Sequence, residues 1–188
     1  MGIAPQRVIT LFNPVDVNWF HQFAESHRSP VTPGHKFLFV GRLISLKNVR
    51  ALIEAFAQIR KESDTLTIAG DGELSSELKS LASTLGISDS VHFLGHKNQL
   101  DLAGIYSSSS TLILPSTNEV WGLVVNEALA SGLHAVVSDL CGVSEFVEKM
   151  QGCYISQSDP SSLADAMKAS RQSWKGYIKT PEILEYTR

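Results

Sequence analysis

From Lys36 to Ser173 the sequence alternates short, wholly apolar runs with longer stretches whose apolar residues recur at helical spacing. A run of four or five apolar residues without polar alternation suits a strand covered on both faces, and strands alternating with helices wind into a parallel sheet. The pattern predicts strands at Lys36–Val40, Leu66–Ala69, Val91–Leu94, Thr111–Leu114 and His134–Ser138, with a short one near Cys153–Ile155. Helices are predicted over Val49–Arg60, where Leu52, Ile53, Phe56 and Ile59 share a face, and over Glu73–Leu85, with Gly86 as C-cap. Further helices are predicted over Leu100–Tyr106 and Gly122–Ala130, near Val143–Met150, and from Ser161 to Ser173. The fold class is therefore α/β, a parallel sheet with helices on both faces.

The two ends break this rhythm. Residues 1–35 hold one apolar run, Val8–Phe12, followed by Asn13-Pro14, Pro30 and Pro33 in a Ser/His-rich stretch, and read as a linker. Residues 174–188 form a short amphipathic tail whose apolar side chains call for a partner outside the 36–173 body.

Composition narrows the function. Charged residues make up 19% of the 188-residue chain, below the roughly 25% of an average soluble protein, so much of it must be buried. Sixteen basic against 19 acidic residues, with no basic block, offer no stripe for tracking a phosphate backbone, so no nucleic-acid partner is expected. No apolar run reaches membrane-spanning length and the N-terminus lacks signal-peptide organisation, which reads as cytoplasmic. Cys141 and Cys153 sit in no CxxC pair, and the six histidines lack ligand spacing, so no metal site is expected. Asp-x-Asp is absent, as is the GxSxG of a hydrolase nucleophile.

In an open parallel sheet, ligands bind beyond the carboxyl ends of the strands. The loop after the first strand, Gly41-Arg42-Leu43-Ile44-Ser45-Leu46-Lys47-Asn48, places a guanidinium and an ammonium just before a helix with Asn48 as its predicted N-cap. A planar fork, a mobile point charge and a helix N-terminus together favour a diphosphate; two solvated surface cations are the alternative. The loop after the fourth strand leads through Glu119 and Trp121-Gly122-Leu123 to Glu127. A helix starting near Trp121 separates the two carboxylates by about 10 Å along its axis, far enough to grip both ends of an elongated ligand. Helix capping by Glu119 with a solvated Glu127 is the alternative. Gly70-Asp71-Gly72 lacks nucleotide-fingerprint spacing and reads as a turn.

Taken in order, these residues resemble a known family. The matching pieces are Asn13-Pro14-Val15-Asp16 with Phe20, Gly41-Arg42 with Lys47-Asn48, Gly70-Asp71-Gly72, Phe93-Leu94-Gly95, Pro115-Ser116 leading to Glu119 and Glu127, and Ser138-Asp139 with Gly142 and Glu145. Across about Asn13 to Ser173 they are similar to the C-terminal, nucleotide-sugar-binding domain of the retaining group 1 glycosyltransferases, a Rossmann-like sheet forming one half of a GT-B fold. The resemblance implies that Arg42 and Lys47 bind the donor diphosphate in place of a metal ion, with Glu119 on the transferred sugar. It implies that Gly41 belongs to the donor-binding residues, and that Trp121, Gly122 and Leu123 offer backbone amides to the sugar and distal phosphate. Glu127 would accept from the ribose hydroxyls, and Gly95, His96 and Lys97 would border the base. No separate cofactor is implied, the nucleoside-diphosphate sugar being a substrate.

The resemblance further implies a saccharide or lipid-linked acceptor held by an N-terminal domain, with peripheral membrane association of the full-length protein. The chain reads as a donor-binding fragment, inactive in transfer alone, whose tail packs on that other domain. Two features depart from the family pattern: Cys141-Gly142 stands where paired glycines are frequent, and Trp121 where phenylalanine is common. A same-fold epimerase and a noncatalytic nucleotide-sugar-binding module are the competing readings.

Overall fold

A computed structural model describes residues 15–30 and 33–187. The Val8–Phe12 run and Asn13-Pro14 lie outside the described residues. Six parallel strands form one sheet in the order β3-β2-β1-β4-β5-β6, where β1 is Lys36–Val40, β2 Thr65–Ala69, β3 Val91–Gly95, β4 Thr111–Leu114, β5 His134–Ser138 and β6 Cys153–Ser156. The helices are α1 Val17–His27, α2 Val49–Ile59, α3 Ser75–Thr84, α4 Gln99–Ser107, α5 Leu123–Ala130, α6 Ser144–Val147 and α7 Pro160–Ser173.

Side-chain alternation sorts the core into two layers. Phe37, Phe39, Leu66, Ile68, Ile113 and Val136 pack with residues of α2, α3 and α7. Leu38, Val40, Leu112, Leu114, Ala135 and Val137 face the other way, among residues of α1, α4, α5 and α6. Successive strand residues point to opposite faces, and β1, β4 and β5, inside the sheet, are buried along almost their whole length, whereas edge strand β3 alternates buried with exposed residues. That is why β1, β4 and β5 coincide with the predicted runs, and the expected α/β class with helices on both faces is borne out.

Three expectations are corrected. Residues 17–27, predicted as linker, form α1: Asp16 caps it by accepting from the Trp19 N–H at 2.9 Å, and Val17, Phe20 and Ala24 are buried. Pro30 follows three residues beyond the end of this helix. The tail also finds partners within the chain. Ile178 and Ile183 are buried, the Ile178 N–H donates to Gly132 O at 2.9 Å, and the Tyr177 hydroxyl donates to Ser107 O at 2.9 Å. The helix predicted near Val143–Met150 shrinks to the single turn Ser144–Val147.

Strand order reverses between β1 and β4: β2 and β3 extend the sheet on one side, β5 and β6 on the other. Loops leaving two adjacent strands in opposite directions open a crevice at such a switch point. Here the loops are those after β1 and β4.

Candidate functional site

The loop after β1 is held in place by its neighbours. Gly41 N–H donates to Ala69 O at 3.0 Å, Leu43 N–H to Asp71 O at 2.9 Å and Leu74 N–H to Leu43 O at 3.1 Å. The Gly70-Asp71-Gly72 turn lies so close that a Cβ on Gly70 would stand 1.8 Å from Gly41 O, and one on Gly72 would stand 2.4 Å from Leu43 O. These glycines therefore brace the first loop, in keeping with the turn reading. A short 3₁₀ turn at Ser45–Lys47 then brings Lys47 to the start of α2.

Asn48 occupies the N-cap position of α2 in the left-handed region, φ 52°, and makes no side-chain cap. The N-cap position is the predicted one, but the side chain is used elsewhere. Its amide donates instead to Pro115 O at 3.2 Å and Ser158 O at 2.7 Å, tying the β1, β4 and β6 loops together.

The loop after β4 is braced from the far side. Gly142 N–H donates to Glu119 O at 2.9 Å and Val143 N–H to Trp121 O at 3.0 Å. A Cβ on Gly142 would stand 2.1 Å from Val120 O, so this glycine admits the neighbouring loop. Helix α5 starts at Leu123, with Gly122 at its N-cap at φ 100° and no side chain capping it. The start is two residues later than the one assumed near Trp121. In its first turn Val125 N–H donates to Gly122 O at 2.9 Å, and the amides of Leu123 and Val124 have no acceptor one turn earlier within the helix.

Arg42, Lys47, Glu119, Trp121, Gly122 and Leu123 meet around a crevice of about 410 Å³ at the switch point, with Gly41 in its wall. Lys47 and Glu119, 72 residues apart, form an ion pair in it, each side chain 18% exposed. Arg42 is exposed, and among the described residues no carboxylate pairs with it. An adjoining hollow of about 270 Å³ shares Val40, Gly41 and Arg42 with the crevice and adds Asp71, His96, Lys97 and Leu102. Gly95 precedes it at φ 68° and accepts from the Gly70 N–H at 2.9 Å.

Glu127 stands apart. It lines neither hollow, and its Oε2 accepts a 2.8 Å hydrogen bond from the Tyr106 hydroxyl. Burial pushes its carboxyl above the ordinary carboxylate range, with the Tyr106 bond acting against the shift. Tyr106, itself buried, escaped the sequence reading because an aromatic on an apolar helix face carries no sign of a polar partner 21 residues on.

The crevice combines two cations, a carboxylate and an uncapped helix N-terminus, groups suited to an anion with hydroxyls attached. The buried thiol Cys141 is pushed up to about 12, mainly by desolvation, and is no nucleophile at neutral pH. Among the described residues no group of three or more His, Cys, Asp or Glu side chains is placed to hold a metal ion. No described helix is long and apolar enough to cross a membrane.

Comparison with known proteins agrees with this architecture. Residues 23–176 match the family model of glycosyl transferases group 1. Alpha-monoglucosyldiacylglycerol synthase of Streptococcus pneumoniae is 33% identical over 162 residues, covering 84% of this chain and 35% of that protein. The C-terminal domain of the group 1 glycosyl transferase LpcC from Francisella tularensis superposes with a TM-score of 0.71 at 18% identity, over 85% of this chain and 89% of that one. Anabaena HepE, in complex with UDP and glucose, superposes with a TM-score of 0.71 at 20% identity, over 94% of this chain and 54% of that one. This chain thus spans about a third of the length of the curated relatives it matches. Its sheet corresponds to one Rossmann-like half of a GT-B fold, and the chain belongs to the group 1 glycosyl transferases.

Proposed function

We propose that this domain binds a nucleoside-diphosphate sugar as the donor half of a retaining glycosyltransferase. The observation that carries this reading is the meeting of Arg42, Lys47, Glu119 and the uncapped start of α5 in one crevice at the switch point. The Arg42 fork and the Lys47 ammonium take the diphosphate, and the first amides of α5 face the phosphate nearer the sugar. Glu119 accepts hydrogen bonds from sugar hydroxyls. The nucleoside then runs toward the adjoining hollow, where Gly95, His96 and Lys97 border the base, while Glu127 turns to the ribose.

In sugar transfer the leaving diphosphate gains negative charge as its bond to the anomeric carbon breaks. Fixed cations and helix amides aimed at that charge stabilise the transition state more than the ground state. Two cations thereby do the work that a divalent metal performs elsewhere. The acceptor on this reading is a saccharide or a lipid-linked acceptor presented by a second domain, with the full-length protein at a membrane surface. UDP bound to HepE and the lipid product in the name of the Streptococcus relative support donor and acceptor classes respectively.

Calorimetric titration with UDP, GDP and ADP tests the reading. One of the three is expected to bind, and Arg42→Ala and Lys47→Ala are each expected to weaken it at least about tenfold, or ~1.4 kcal/mol. Unchanged affinity in both variants would remove the diphosphate assignment.

A further inference from the structure

We propose that the Lys47–Glu119 ion pair is a built-in competitor that makes the crevice prefer an intact nucleoside-diphosphate sugar over the free nucleoside diphosphate. The inference rests on the donor-binding reading and deepens it. Both groups assigned to the ligand are, without one, engaged with each other.

The loops that carry the pair cannot readily separate. Thr117 N–H donates to Leu46 O at 2.9 Å, and the Asn48 amide spans to Pro115 O at 3.2 Å and Ser158 O at 2.7 Å. The bracing glycines hold each loop against its outer neighbour as well. The pair therefore opens by side-chain rotation, which the four-carbon stem of lysine permits.

The two ligands meet this pair differently. A free diphosphate that recruits Lys47 draws it from Glu119 and leaves a half-buried carboxylate without its counter-charge, beside an incoming anion. Like charges close together repel more strongly where, as at these two largely buried side chains, water screens them less than in bulk. An intact donor carries hydroxyls next to its diphosphate. They donate to Glu119 in place of the ammonium, so Lys47 turns to the phosphate while the carboxylate stays hydrogen-bonded. The donor replaces both halves of the pair, the free diphosphate only one. Arg42, with no carboxylate partner among the described residues, supplies first attraction to either ligand.

The preference also gives the site a direction. Once the sugar has left, Glu119 regains its claim on Lys47, and the product diphosphate loses one of its two cations.

The test is calorimetry on the whole chain with UDP, GDP and ADP and with UDP-glucose, GDP-glucose and ADP-glucose, in wild type and Glu119→Gln. For the base that binds, wild type should hold the glucose conjugate at least about fivefold more tightly than the free diphosphate. Glu119→Gln, nearly isosteric but uncharged, should bind the free diphosphate about tenfold more tightly than wild type and reduce the preference toward unity. Equal wild-type affinities for conjugate and free diphosphate would overturn the inference without any variant. So would a correctly folded Glu119→Gln with unchanged affinity for the free diphosphate. Binding of none of the six ligands to wild type would overturn the donor reading itself, an outcome distinct from failure of the competitor alone.

Discussion

The hydroxyl of Tyr106 on α4 donates a 2.8 Å hydrogen bond to Oε2 of Glu127 on α5, so the direction of this carboxylate is set from a neighbouring helix. Burial raises the Glu127 carboxyl and the Tyr106 bond opposes the rise. Tyr106→Phe is therefore expected to move Glu127 to a still higher titration midpoint, readable by carboxyl-carbon NMR. The lost hydrogen bond should cost about 1 kcal/mol of stability in denaturant unfolding. If Glu127 holds the ribose, the variant should weaken a ribonucleotide several-fold and leave its 2′,3′-dideoxy counterpart unaffected; equal weakening of both would separate Tyr106 from ribose binding.

Gly70 offers a test of loop bracing without touching a ligand-facing side chain. A methyl there meets Gly41 O at 1.8 Å, in a backbone conformation of φ 149°. Gly70→Ala should displace the Arg42 loop, destabilise the protein by more than about 1 kcal/mol and weaken nucleotide binding. Gly86→Ala is the control. Its φ of 67° lies in the left-handed region that other residues enter at modest cost, and a Cβ there meets nothing within 4 Å, so stability should fall about 1 kcal/mol with binding intact.

The amino ends of the interior strands β1, β4 and β5 predict a pH dependence. His35 Nε2 lies 2.8 Å from Thr111 Oγ1, which lies 2.8 Å from Ser170 Oγ, and His134 Nδ1 is 3.2 Å from the same serine. Burial lowers His35 from the ordinary 6.5 to about 4, with Asp64 acting against the shift and His134 and Arg171 adding to it; burial also lowers His134. A depressed histidine contributes stability that is fully present above pH 6.5 and is lost as pH falls through the folded value. Conversion of the His35 shift gives about 3 kcal/mol lost between pH 6.5 and 4. Glu127 has the reverse sign, since a carboxyl raised by folding withdraws stability as pH rises through its range. Urea midpoints measured from pH 7.5 to 4.5 should fall on the acid side, and His35→Asn should flatten that fall. A profile identical in wild type and variant would assign the acid sensitivity elsewhere.

Donor binding through two cations predicts indifference to divalent metal. Nucleotide affinity should be the same in EDTA and in millimolar magnesium, apart from the small change that magnesium binding to the free nucleotide itself produces. A tenfold loss of affinity in EDTA would assign part of the diphosphate binding to a metal ion.

The sequence by itself determined the sheet. Strands buried on both faces must be apolar along their whole length, which fixed β1, β4 and β5 to the residue, and the loops leaving β1 and β4 were legible as the place for Arg42, Lys47 and Glu119. Tertiary structure alone decided what those residues touch. The Lys47–Glu119 pair joins residues 72 apart, Tyr106 meets Glu127 across two helices, and Asn48 turns its amide to two other loops instead of capping α2. Helix α1 and the tail were misread because their apolar residues answer to α4, α5 and Gly132, which no local period reveals. Periodicity reports which face a residue presents to the core; its polar partners depend on where distant loops come to rest, and here close-approaching glycines set that position.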